Sequence, residues 1–140
     1  MMRSERGMTL VEILVAAFVI TIGLVAVATG MQLATAGVAA GQQQTTAVFL
    51  AEHQLERIKS FAVSNNAAQG WANVTTANFP AAEAYNAITN YTRYRRTTTI
   101  TDSTATTKRI AVSVFWIPVA VASTNTERSV TLTVVLTSRE

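Results

Sequence analysis

The chain has no cysteine, one histidine, two prolines and few charges: 14% of its 140 residues are Asp, Glu, Lys or Arg. Without cysteine there is no disulfide, thiolate metal site, iron–sulfur cluster or cysteine nucleophile. A single histidine, His53, excludes a multi-histidine metal site. The low charge matters because a soluble domain is usually about a quarter charged. The deficit is concentrated, since residues 13–51 contain no Asp, Glu, Lys or Arg. Disorder of the whole chain is argued against by 49% hydrophobic residues with few Gly and Pro. The net charge of +3 is small. The pI near 9.8 is the arithmetic of eleven bases against eight acids, not a nucleic-acid signature. The length suits one modest core.

What is present is a long apolar run. A bilayer core takes about 20 apolar residues in a helix, and the run from Met8 to about Val38 exceeds that. It also exceeds the apolar stretch of about 7–15 residues in an ordinary secretory signal. Arg3 and Arg6 precede it, so the N-terminus is expected to stay cytoplasmic and the remainder to be exported. Glu12 does not fit a plain anchor. A carboxylate at the centre of a membrane helix costs about 2.5–3.5 kcal/mol on insertion scales, less near the interface, and calls for a cationic partner. The span itself offers no base. A cut between Gly7 and Met8 would create an α-amine four residues before Glu12, one helical turn away, on the same chain or a neighbour.

The run Arg6-Gly7-Met8-Thr9-Leu10-Val11-Glu12-Ile13-Leu14-Val15-Ala16 resembles the prepilin processing motif of type IV pilins and type II secretion pseudopilins. The resemblance implies that prepilin peptidase, a membrane aspartic protease, removes leader 1–7 by cutting after Gly7 and then methylates the amine of Met8. It assigns Glu12 to the carboxylate that contacts the N-terminal amine of a neighbouring subunit during assembly. Partners implied are the peptidase, major and minor pilin subunits, the inner-membrane assembly machinery and, before assembly, lipid. The implied location is the inner membrane, with one pass, and then the pilus surface. Most members carry Phe where this chain has Met8.

No proline interrupts Met8–Phe61, so the pattern predicts one helix of about 54 residues, near 80 Å long. Residues 8–38 would form the transmembrane and filament-core half and 39–62 an amphipathic half. Val48, Ala51, Leu55, Ile58 and Ala62 recur at spacings of three and four and form its apolar face. Gly23, Gly30 and Gly37 are spaced by seven, with Gly41 four further on. They read equally as a close-packing stripe between helices and as the ordinary glycine content of membrane helices. They also lower helix propensity, so residues 23–41 can bend or melt on assembly.

Residues 63–90 read as a long connection with a short helix at most, pinned to the core by Trp71, Phe79 and Tyr85. An antiparallel sheet is expected over 91–140, in three to four strands. A Thr-rich edge strand covers Arg93–Thr101, and a hairpin loop follows at Asp102–Thr107. A second strand places Ile110, Val112, Val114 and Trp116 on one face, and Pro118 ends it. A third places Val130, Leu132, Val134 and Leu136 inward. The fold class is therefore α+β, one long helix on a small antiparallel sheet, which resembles the pilin architecture. Ile22-Gly23-Leu24-Val25, Ala51–Ile58 and Val112–Trp116 look like minor pilins of the PilV type, and pseudopilins of the GspI type share much of this. The chain lacks the proline within the span and the cysteine pair of many major pilins, which favours a minor subunit.

Other candidates weigh less. Arg93, Arg95 and Arg96 beside Tyr91 and Tyr94 have the composition of a single-strand nucleic-acid patch. A solvated edge strand explains them more simply. His53 lies between Glu52 and Glu56 and reads as a half-exposed helix residue before a weak metal ligand. Asn73-Val74-Thr75 and Asn90-Tyr91-Thr92 match a glycosylation pattern at the rate chance gives in so Asn- and Thr-rich a chain. No nucleophile–base–acid set and no phosphate-cradling loop is visible, and no cofactor is expected. The leading reading is a minor pilin, itself the substrate of an enzyme rather than an enzyme. A type II secretion pseudopilin is the alternative within the superfamily, and a DNA-binding uptake component is the alternative of another class.

Overall fold

A helix that is apolar on every side needs apolar surroundings, whereas one with a single apolar stripe needs only one covering layer. Helix α1, Leu10–Ala62, contains both kinds of sequence. The structure, a computed structural model, describes residues 9–118 and 126–138. The chain divides into two compact units, Met1–Val38 and Ala39–Glu140.

In the first unit α1 begins two residues later than the sequence pattern indicated, because Thr9 caps it. The Thr9 Oγ1 accepts the Glu12 N–H at 3.3 Å, and the Thr9 carbonyl accepts the N–H of Glu12 and of Ile13. Large apolar side chains from Leu10 to Leu33 are more than half exposed all around the helix. The hydroxyls within this stretch are satisfied locally: Thr21 donates to the Ala17 carbonyl at 2.7 Å, Thr29 to that of Ala26 and Thr35 to that of Gln32. By length and composition α1 can cross a membrane.

In the second unit the end of α1 covers a four-stranded antiparallel sheet of order β1-β2-β3-β4. The strands are β1, Ala82–Glu83; β2, Tyr94–Thr104; β3, Thr107–Trp116; and β4, Arg128–Thr137. The architecture is α+β and pilin-like, as expected. Ile110, Val112, Val114 and Trp116 of β3 are all buried, and Val130, Leu132, Val134 and Leu136 of β4 pack against them half-buried. The helix face differs in detail from the expected one. Its buried residues are Ala47, Leu50, Ala51, Gln54, Leu55 and Ile58, while Val48 is only half-buried. Gln54 is polar and carries no apolar periodicity, yet it is buried in this face.

Three further expectations are corrected. The segment around Arg93–Thr101 is not a plain edge: β1 pairs with it, at Ala82↔Thr97 and Glu83↔Arg96. A two-residue strand leaves no periodic signal, which is why 63–90 read as connection alone. The hairpin loop is shorter than Asp102–Thr107. Thr104 pairs with Thr107 around a two-residue turn, and a register shift between Asp102 and Thr104 absorbs the twist. Gly70 (φ +94, ψ 177) precedes the short 3-10 turn Trp71–Asn73, and its N–H donates to the Phe61 carbonyl at 2.9 Å. That backbone region is essentially glycine's alone. His53 is exposed rather than half-exposed.

One ion pair lies inside this layer. Arg96 of β2 is 6% exposed, and its Nε donates to Glu83 Oε2 at 2.5 Å, while NH1 reaches the Leu50 carbonyl at 3.4 Å. It thus joins β1, β2 and α1. Removing one partner of such a pair strands the other charge. Arg96→Ala is expected to lower the unfolding free energy by about 3 kcal/mol, read as a shifted urea midpoint. A midpoint within error of wild type would show that the pair does not hold β1 to the sheet.

Candidate functional site

The residues singled out from sequence fall into two groups. The leader charges Arg3 and Arg6 and the cleavage pair Gly7 and Met8 lie outside the described residues. Glu12 does not. It occupies the first turn of α1, three residues after the Thr9 cap. Thr9-Leu10-Val11-Glu12 therefore has the spacing of a capping box, in which a carboxylate three residues past the cap faces the free N–H groups at the helix start. A negative charge there is favoured by the helix dipole. The Glu12 side chain is exposed, and among the described residues its carboxylate has no ion-pair partner. The sequence reading treated Thr9 only as part of the motif. Its capping role was legible in the Thr-x-x-Glu spacing and was missed.

Gly23, Gly30, Gly37 and Gly41 are all in α1. A Cβ built on any of them meets nothing within 4 Å. Contacts among the described residues therefore do not explain why these positions lack a side chain.

The three arginines of the candidate nucleic-acid patch are not brought onto one face. Arg96 points into the helix–sheet layer and is paired with Glu83. Arg95 lies on the opposite face of β2, with its guanidinium 3.8 Å over the Phe115 ring. It donates to both carboxylate oxygens of Glu127, at 2.7 Å from Nε and 2.6 Å from NH2. Arg93 alone is exposed, at a shallow cleft lined by Tyr85, Thr92, Ile117 and Pro118. Two of the three positive charges are thus neutralised within the chain.

The Glu127 cluster was not foreseen. The residue lies in a segment read as a simple connection, and its partners are 32 and 42 positions away, beyond any local pattern. Tyr85 adds a third bond, its hydroxyl donating to Glu127 Oε1 at 2.6 Å. The cluster joins the loop after β1, strands β2 and β3, and the entry to β4. The Arg95 and Tyr85 hydrogen bonds hold the Glu127 carboxyl well below the usual range, at about 2. Partial burial, together with the neighbouring carboxylate, pushes the Tyr85 phenol up.

His53 is exposed, its ring 6.1 Å from that of Phe49. Among the described residues no group of three or more His, Asp or Glu could hold a metal ion. The Asn73 amide is committed to the Gln69 carbonyl at 2.9 Å, whereas Asn90 is exposed in a left-handed conformation (φ 67).

Residues 2–28 match the family described as the prokaryotic N-terminal methylation motif. The chain carries that motif. The match covers Glu12 and α1 from its start to residue 28. No curated protein and no solved structure matches the chain. The motif and the apolar helix together fit membrane anchoring.

The cluster has a defined pH signature. Because the folded carboxyl of Glu127 titrates at about 2, below its ordinary value of 4.5, its stabilising effect is present above pH 4.5 and is lost as pH falls toward 2. The side chain is about one-third exposed, so the effect is expected to be at most about 1 kcal/mol. Wild type should exceed Glu127→Gln in stability at pH 6, with the gap closing by pH 2. A gap independent of pH in urea titrations would exclude the carboxylate as its source.

Proposed function

We propose that the chain is a minor pilin, a structural and assembly subunit of a type IV pilus. Prepilin peptidase would cut after Gly7 and methylate the Met8 amine, with Arg3 and Arg6 holding the leader on the cytoplasmic side. The observation that carries the reading is the methylation motif at residues 2–28 running directly into a helix with no charge from residue 13 to 51. A lone carboxylate at the head of such a helix is costly in lipid unless a cation meets it. The new α-amine of a neighbouring subunit is such a cation, so Glu12 favours the assembled over the membrane-inserted state. The glycines at 23, 30, 37 and 41 leave open faces on which neighbouring helices can approach closely. The sheet unit would then face outward. The geometry lends least to the nucleic-acid alternative, since Arg95 and Arg96 are already paired on opposite faces. A pseudopilin of a type II secretion system satisfies the same motif, and the filament in which the subunit is found separates the two.

The mature chain, isolated from filaments, is expected to begin with N-methylated Met8 by mass spectrometry. Gly7→Ala should abolish that species, and normal processing of this variant would sink the reading. Glu12→Ala should still be cleaved but reduce filament incorporation by roughly tenfold or more, consistent with loss of a buried charge pair. Unchanged incorporation would remove Glu12 from assembly.

A further inference from the structure

Three strand ends meet at one end of the sheet unit. Tyr94 opens β2, Trp116 closes β3 and Arg128 opens β4, and the three pair in one cross-strand row. The Tyr94 hydroxyl donates to the Gln43 carbonyl at 3.2 Å, so this row lies beside the first turns of the unit, which begins at Ala39. Tyr94 and Trp116 are buried, with ring centroids 6.3 Å apart, and Tyr91 packs edge-on against Tyr94. The side chains left outermost at this end are Arg93, Arg128 and Ile117. Only five residues separate Gln43 from Val38, where the apolar run ends. Fully extended, five residues reach about 18 Å. Whatever surrounds the run therefore ends within that reach of Gln43.

The charge left at this end has one sign. Arg95 and Glu127 neutralise each other. Arg93 and Arg128 are exposed, and neither is in an ion pair among the described residues. The adjoining helix supplies no acid, because residues 39–51 carry no charge. Residues 119–125 lie outside the described residues, and their sequence is uncharged as well. Beside Arg93, Ile117 is 42% exposed and lines a cleft of about 390 Å³ with Pro118, Thr92 and Tyr85. Cations beside an exposed apolar side chain suit a lipid–water interface, where guanidinium meets phosphate and the apolar group enters the acyl boundary.

We infer that this end of the sheet unit docks on an anionic lipid bilayer, with Arg93 and Arg128 on headgroup phosphates and Ile117 at the acyl boundary. The inference rests on the membrane-anchored reading. What selects a bilayer over other polyanions is the tether. An apolar run seated in lipid keeps the surface within reach, so the arginines act at high effective concentration and need little affinity of their own. Each arginine near an anionic surface strengthens attachment about fivefold. The pair also orients the unit. From Tyr94 to Thr104, β2 rises about 33 Å, several Debye lengths of about 8 Å, so the Thr104–Thr107 turn lies beyond the field that holds the row. A nucleic acid offers the same phosphates but no tether and no place for Ile117. The buried Tyr94 and Trp116 rings also give its bases no face for stacking.

The test uses the full chain reconstituted into vesicles of phosphatidylcholine, with or without phosphatidylglycerol. The chain has no cysteine, so one introduced cysteine carries a single fluorophore, at Thr92→Cys beside Arg93 or at Ala105→Cys in the far turn. A nitroxide on the lipid headgroup serves as quencher. In anionic vesicles, quenching at position 92 is expected to exceed that at 105 by at least about threefold. The excess should vanish in neutral vesicles and at about 1 M salt, where the Debye length is about 3 Å. Arg93→Gln combined with Arg128→Gln should remove it, and Arg109→Gln, at an exposed arginine toward the far turn, should not. The lipid-charge and salt comparisons need no arginine variant and decide the matter if the double variant misfolds. Equal quenching at both positions, an excess indifferent to lipid charge and salt, or an equal loss in Arg109→Gln would overturn the inference. Binding of a single-stranded oligonucleotide through Arg93 and Arg128, with no effect of lipid charge, would assign the pair to nucleic acid instead. Resistance to alkaline extraction is read on the same vesicles. An extractable chain defeats the anchored reading and this inference with it, whereas an inserted chain without the excess defeats the inference alone.

Discussion

The second unit depends on one apolar layer, in which Ala47, Leu50, Ala51, Leu55 and Ile58 of α1 meet Ile110, Val112, Val114 and Trp116 of β3. Ala47 and Ala51 are fully buried in it. Each of the larger aliphatic residues contributes about 1.5–3 kcal/mol through burial. The layer is narrow, and the polar chemistry of the sheet is arranged around it. Arg96 enters it only because Glu83 meets it there. Lys108 closes one end, its ammonium 2.7 Å from Asp102 and 5.5 Å from the Trp71 ring. On the outer face the Arg95–Glu127–Tyr85 cluster ties loop and strands together without any core of its own.

Among its described residues the first unit has no such layer. Its helix is apolar all round, its threonine hydroxyls are turned back onto its own carbonyls, and its glycines face open space. From Glu12 onward its backbone N–H groups are paired along the helix, so an apolar environment costs that stretch nothing in hydrogen bonds. The same segment exposed to water would leave a contiguous apolar surface far larger than soluble chains tolerate. Among the described residues of this unit nothing covers that surface.

Much of this division was legible in the sequence, and for a physical reason. Periodicity reports burial, so the alternation of Ile110, Val112, Val114 and Trp116, and of Val130 to Leu136, located two strands and their faces correctly. The stretch without charge located the apolar helix. What failed was whatever depends on partners distant in sequence. Gln54 is polar and yet buried in the helix–sheet layer. Strand β1 has two residues and exists only because β2 pairs with it. Arg93, Arg95 and Arg96 are consecutive enough to look like a patch, but the twofold alternation of a strand sends Arg95 and Arg96 to opposite faces, where separate acids meet them. The Thr9–Glu12 cap was legible in principle, because its spacing is local, and it refines the processing motif.

The apolar half leaves one kind of valence open. The apolar surface of the first unit does not discriminate between surroundings, because lipid tails are about as apolar as the side chains of a neighbouring helix. Hydrophobicity alone therefore favours neither the bilayer nor a bundle of like helices. Discrimination has to come from groups that lipid cannot satisfy. In the described part of the apolar half, the ionised group of that kind is Glu12, whose carboxylate sits at the head of the helix, where the dipole already favours its charge. A cation in lipid is scarce, so any neighbour that brings one can decide the small free-energy difference between two apolar environments through a single carboxylate.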